Sequence, residues 1–291
     1  MYVLGILVIL ATLVTGGSLF NRQRLSAVGA NKGLQQVEFA LKGAMQAVVA
    51  KLALDREFVE WAASNPSAAG QLKMPEAWVP AEGVRTMLLD GRVFEVVVQR
   101  AEWLPDANLL TESEWVGLMR EVGVPATTAK LLARHIAVKR DHLQSINGRG
   151  FTSHVQVLDG LPLPPGPLFG HQETQMPGLV DLFSVMTGVR STDPVHTPWI
   201  VYRGLYNASD SQITRLQAKR SAGLLTKAQE AEILGVVVDP TSKPSTPSST
   251  FLRVTISLGG QLFRSSITLL GQISLQAEKA TVQTEYLFFR E

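Results

Sequence analysis

The stretch "MYVLGILVILATLVTGGSLFNRQRLS", residues 1–26, decides what kind of chain this is. Tyr2 to Phe20 carry no charge, and Arg22 and Arg24 follow at once. As helix those residues rise ~28 Å, about one bilayer hydrocarbon core. Leu4, Leu7, Leu10 and Val14 recur at steps of three and four, as the apolar positions of a membrane anchor. A secretory signal would bring a basic start, a shorter apolar run and a small-residue cleavage site. Thr15-Gly16-Gly17-Ser18 passes for the last of these, but the basic start is missing and the run is long. The sequence therefore predicts a retained anchor.

Working outward, no Pro or turn cluster interrupts the chain before Asn65-Pro66. Leu34, Val37, Leu41, Ala44, Val48 and Leu52 again step by three and four, which describes one face of a helix. The anchor thus runs on into an amphipathic stem, and residues 1–63 are expected to form one transmembrane and stem helix. Arg22, Arg24, Lys32 and Lys42 all follow the span. That bias alone would hold the body in the cytoplasm, whereas a basic leader lost from the N-terminus would reverse the argument.

Farther along, "VRTMLLDGRVFEVVVQR" (84–100) has two β-rich runs flanking Asp90-Gly91. Such a pair between strands signals a type I′ hairpin, because both turn positions need positive φ. Strand patterns return at the end. "FLRVTISL" (251–258) alternates Leu252, Val254, Ile256 and Leu258 against Arg253, Thr255 and Ser257. Gly259-Gly260 offers a turn into "QLFRSSITLLGQISL", and "ATVQTEYLFFR" closes the chain. About five antiparallel strands with one face free for the stem helix are expected.

Between the strand groups, residues 101–246 read as an inserted helical domain. Thr111 to Glu114, Ser209 to Gln212 and Thr226 to Gln229 each have capping-box spacing. Pro125 suits the first turn of a helix reaching about Arg140. "LPLPPGP" (161–167) reads as a stiff surface loop and "DPTSKPSTPSST" (239–250) as a linker. The expected division is 1–63 for the helix, 64–100 for the first part of the sheet, 101–246 for the insertion and 247–291 for the last strands.

Composition narrows the chemistry. The net charge is +2, from 27 basic and 25 acidic residues, with no basic stripe of the kind that grips nucleic acid. With no cysteine there is no disulfide, thiol nucleophile or thiolate metal site. His135 and His142 share a helix face but lie two turns apart, too far to chelate one ion together. No Gly-rich phosphate loop, nucleophile elbow or paired acid motif is present, and no enzymatic role is expected. "VGVPATTAKLLARHIAVKR" (122–140) and "LQAKRSAGLLTKAQEAEIL" (216–234) have a helix-hairpin-helix flavour, with a Gly turn whose amides would suit phosphate. One alternative reading follows from them: a single-pass envelope protein whose helical domain binds DNA or another ligand. The modest charge argues against nucleic acid.

The order of these elements resembles the K-type minor pseudopilins of bacterial type II secretion. Family members have an acidic residue before an Asn-Leu-Asn-like step; Asp106-Ala107-Asn108-Leu109-Leu110 stands there. Their Leu-Gly-Leu turn, Ala/Leu-rich helix and Trp-Arg-Asp ending correspond to Val122-Gly123-Val124, to Ala129, Leu131 and Leu132, and to Lys139-Arg140-Asp141. A second Asn step corresponds to Tyr206-Asn207-Ala208-Ser209. The chain departs at Leu110, where the family has its second Asn, and at Lys139, where it has Trp. The resemblance implies an α+β chain: a transmembrane stem helix, an antiparallel pilin-like sheet and an inserted α-helical domain. It implies an inner-membrane assembly protein with its globular part in the periplasm, nucleating or capping a pseudopilus. Its partners would be other minor pseudopilins and inner-membrane secretion components.

No acidic residue precedes Glu38, and position 5 is Gly. Pilin-like subunits generally carry a Glu near the start of the membrane helix, held to pair with a neighbour's N-terminal amine. A lone carboxylate in the bilayer is costly, so a subunit with nothing above it has no use for one. The K-type proteins likewise lack it, which the resemblance connects with a place at the fibre tip; an ordinary anchor has no such Glu either. The resemblance also makes calcium a candidate cofactor, needing six or more oxygen ligands. Asp141, Asp159, Glu173, Asp181 and Asp193 are spread through the insertion without a D-x-D-x-D run, so no ligands are assigned.

Overall fold

The structure, a computed structural model, describes residues 2–66, 78, 83–171, 174, 176–190, 192–236, 250–258, 266–276 and 279–290. For residues 2–31, 250, 266, 274–276 and 279–290 only the backbone is described. Helix α1 runs from Tyr2 to Ser64 without interruption. The chain falls into two units, residues 1–43 and 44–291. In the first, α1 buries Leu41, half-buries Leu34 and Val37, and carries an exposed Glu38–Lys42 pair at 2.9 Å. The anchor positions Leu4, Leu7, Leu10 and Val14 lie outside the residues with described side chains. Among the residues with described side chains no helix is long and apolar enough to cross a membrane.

In the second unit, the remainder of α1 buries Ala44, Met45, Val48, Val49 and Leu52. Asp55 accepts a hydrogen bond from the Trp78 amide at 2.7 Å, tying the helix to the segment that leads into the sheet. Strands β1 (Arg85–Leu89) and β2 (Arg92–Arg100) form the hairpin, with Leu89 paired to Arg92. Asp90 and Gly91 have φ of 50° and 72°, both left-handed, as a two-residue I′ turn requires.

After the insertion come β5 (Thr250–Leu258), β6 (Ser266–Gln276) and β7 (Lys279–Arg290). The sheet is antiparallel throughout, in the order β1-β2-β5-β6-β7. The insertion therefore leaves from β2 and returns on the strand beside it. Phe94, Val96 and Val98 share one face with Leu252, Val254 and Ile256 and with Ile267, Leu269 and Ile273, and all are buried. The linker 239–250 and the Gly259-Gly260 turn lie, but for Thr250, outside the described residues.

The insertion holds α2 (Glu112–Glu121), α3 (Ala126–Asn147), α4 (His154–Leu158), α5 (Pro165–Phe169), the short pair β3 (Gly170–His171) and β4 (Met176–Pro177), and then α6 (Trp199–Tyr206), α7 (Asp210–Ser221) and α8 (Lys227–Leu234). Each expected capping box forms, at Thr111, Ser209 and Thr226. Helix α3 runs past Arg140 to Asn147, because no residue breaks it until Gly148 at φ 65°. Residues 161–167 are not a plain surface loop. Pro165 opens α5, where its missing N–H costs nothing, and Leu161 and Leu168 enter the core. That core centres on Trp115, Leu118, Met119, Ile136, Phe151 and Phe183. A smaller one, around Tyr202, Ile213, Leu216 and Ile233, lies among α6, α7 and α8.

Candidate functional site

The residues that carry the sequence motif converge where the chain enters the insertion. Asp106 is 2% exposed. Its Oδ1 accepts from the Asn108 amide at 2.9 Å and its Oδ2 from the Gly188 amide at 2.7 Å. Its own amide donates to Val189 O at 2.8 Å, and Asp106 and Ser184 form a parallel bridge. Asn108 acts like a missing strand residue. Its Nδ2 donates to Phe151 O at 2.9 Å while its Oδ1 accepts from the Phe151 amide at 2.6 Å. Arg140 Nη1 donates to Leu110 O at 2.8 Å, and its Nε to Asp141 Oδ1 at 3.1 Å.

Asp106, Asn108, Arg140 and Asp141 thus form one connected node. It fixes residues 104–110 against the 184–189 turn on one side and against α3 and residue 151 on the other. Gly123 and Asn207 are not part of it. Gly123 turns α2 into α3 at φ 87°, and Asn207 ends α6 at φ 49°. The side chains of Asp106 and Asn108 and the Nη1 of Arg140 are spent on main-chain partners, so their chemistry is that of a clamp on the chain path, with the exposed Asp141 at its rim.

A second polar layer lies between sheet and insertion. Arg253, 3% exposed, donates to Phe183 O at 3.0 Å, to Val180 O at 2.9 Å and to Asp181 Oδ1 at 3.2 Å. Gln272, its cross-strand partner, donates to Val185 O at 2.5 Å. Three carbonyls of residues 180–185 that no strand satisfies are met by side chains from β5 and β6. His154 stacks on Phe183 at 5.1 Å between ring centres, and burial, aided by the Arg253 charge, pushes its pKa down to about 3. Sequence reasoning missed this layer, since Arg253 reads as part of an outward polar face. The available signal was the adjacent pair Leu269-Leu270. Apolar residues on both faces of a strand mark one covered on both sides, and Leu270 belongs to the insertion core.

A third cluster joins Thr192 to Glu230 and Lys227, with Lys227 Nζ 3.1 Å from Glu230 Oε1. Burial raises the Tyr202 and Tyr206 hydroxyl pKa values beside it. The acids weighed as calcium ligands are each engaged elsewhere: Asp141 with Arg140, Asp159 with Lys139, Asp181 with Arg253, Asp193 with the amides of Val195 and His196. Glu173 lies outside the described residues. Among the described residues no group of three or more His, Asp or Glu is placed to hold a metal. In the two helix-hairpin-helix-like turns the amides point inward. Gly123 and Val124 donate to Arg120 O and Met119 O, and Gly223 and Leu224 to Arg220 O and Lys219 O. Phosphate would find those four donors already committed.

No protein-family model matches the chain, and no curated protein matches it in sequence. Among solved structures it is similar to a chain of the GspK-GspI-GspJ complex from the enterotoxigenic Escherichia coli type 2 secretion system. The identity is 12% and the TM-score 0.33, over 85% of this chain and 99% of that one.

Proposed function

We propose that this chain is a K-type minor pseudopilin of a type II secretion system, a non-enzymatic assembly subunit. It is anchored in the inner membrane by residues 2–20, with its globular part in the periplasm. It joins other minor pseudopilins and inner-membrane secretion components through the stem face at Leu34 and Val37, and it nucleates or caps the pseudopilus tip. The observation that carries this reading is the unbroken helix Tyr2–Ser64, which makes the apolar segment and the buried stripe Ala44–Leu52 parts of one element. The helix leads into an antiparallel sheet whose second and third spatial strands are separated in sequence by the insertion. The lack of any acid before Glu38 fits a subunit with no neighbour above it.

The test is co-purification from detergent with the pilin-like proteins encoded beside it. Val37→Asp puts a charge on the half-buried stem face and is expected to weaken recovery of the partners at least tenfold. Gly5→Glu is expected to bring no gain. Normal recovery with Val37→Asp together with stronger binding by Gly5→Glu would remove the tip assignment.

A further inference from the structure

Helix α3 (Ala126–Asn147) presents an outward stripe that the fold does not use. Leu131, Val138 and Ile146 are 72%, 62% and 64% exposed, and His135 and His142 lie exposed between them. At 3.6 residues per turn the five side chains fall within an arc of about 80° over ~22 Å of helix. A stripe of large apolar groups this long is unusual on a surface with no partner.

Its pattern is self-complementary. Turned about an axis that crosses the helix between Val138 and Lys139, the stripe maps onto itself: Leu131 faces Ile146, His135 faces His142, and Val138 sits next to Val138. The charges obey the same symmetry. Arg134 and Asp141 lie on one flank of the stripe, and the rotation places Arg134 of one copy within ~3 Å along the axis of Asp141 of the other. Asp141 is well exposed, and its bond to Arg140 uses Oδ1, leaving Oδ2 to accept from Arg134 of the second copy. Lys139 is held aside by Asp159.

We propose that this face of α3 is the docking surface for a second copy of this chain, packed antiparallel about a two-fold axis at Val138. An interface of this kind is isologous: each copy supplies the same patch, so the apolar contacts and the Arg134–Asp141 pair each occur twice. The buried patch is small, so the association is weak and best read by trapping.

The chain has no cysteine, which makes single introduced thiols a clean probe. The full chain in detergent micelles is oxidised mildly, with Leu224→Cys, an exposed site off the stripe, as the measure of random collision. Val138→Cys is expected to give disulfide-linked dimer at least fivefold above that baseline. Leu131→Cys alone stays at baseline, but mixed with Ile146→Cys it gives the heterodimer. Arg134→Glu added to Val138→Cys returns the yield to baseline, and adding Asp141→Arg as well restores it. These positions are exposed, and the circular dichroism of each variant is recorded to check that it is folded. Baseline yield from Val138→Cys, or Leu131→Cys linking to itself as well as Val138→Cys does, overturns the proposal.

Discussion

Gly117 of α2 and Gly204 of α6 meet with almost no space between their backbones. A Cβ on Gly117 would stand 1.8 Å from the Gly204 carbonyl oxygen, and the obstacle is main chain, which cannot swing aside. Gly117→Ala therefore has to push α2 away from α6 and disturb Leu118 and Trp115 in the core. The expected loss is about 1–3 kcal/mol, the usual cost of overpacking, read as a lower urea midpoint with unchanged slope. His154 makes a different single-residue prediction. Folded, it is held neutral by burial, with its pKa near 3 against 6.5 for the free side chain. Above pH 6.5 neither state takes a proton there. Between 6.5 and 3 only the unfolded chain does, so stability falls as the pH falls. By pH 5 the loss attributable to this residue is about 2 kcal/mol. His154→Leu should flatten the stability profile between pH 7 and 5 by about that amount. An unchanged slope would mean that the imidazole is hydrated in the fold.

At the scale of elements, the sheet and the insertion are held together by side chains that stand in for a missing strand. Arg253→Met keeps the aliphatic bulk but leaves Val180 O without its donor and Phe183 O with only the 3.4 Å contact to His154 Nε2. An unmet buried carbonyl costs about 1–3 kcal/mol, and the damage should be local. Hydrogen exchange should speed up in residues 179–186 and 153–158 before the β5–β6 core responds; uniform loss of protection would mean that sheet and insertion open only as one. The capping boxes act on their own helices, so Thr226→Ala should cost about 1 kcal/mol and fray α8 first.

These elements also divide what the sequence discloses from what it conceals. The I′ turn at Asp90-Gly91 and the caps at Thr111, Ser209 and Thr226 are decided within four residues, and local chemistry announces them. The role of Asn108 depends on Phe151, and that of Arg253 on residues 180–183. Such contacts span 43 to 73 positions, and no spacing rule reaches them. Asp106 and Asn108 stand out in the sequence as a motif, but only the fold reveals that their side chains clamp main chain. Leu161 and Leu168 are hidden for a related reason. Pro and Gly signal loop, and nothing local reports that the loop's leucines turn inward.

For the molecule as a whole, the question is what the first unit of α1 does. One helix carries an uncharged segment at its start and a buried apolar stripe in its second half, with Arg22, Arg24 and Lys32 between them. If residues 2–20 span the bilayer, a charge at the middle of that segment and a charge beyond it must act differently. Leu10→Arg places a guanidinium at mid-span, where insertion costs about 2.5–3.5 kcal/mol, and should release a large part of the chain from membranes into alkaline carbonate. Leu34→Arg puts the same side chain on the same helix, beyond the basic flank, and should leave carbonate extraction unchanged while weakening partner recovery. The contrast separates an anchor from a helix that merely rests on a surface. For a peripheral helix held by its apolar face, both substitutions would loosen attachment to similar extents, and neither would respond to depth. Equal extraction of the two variants would therefore remove the anchor and, with it, the envelope placement on which the assembly role depends.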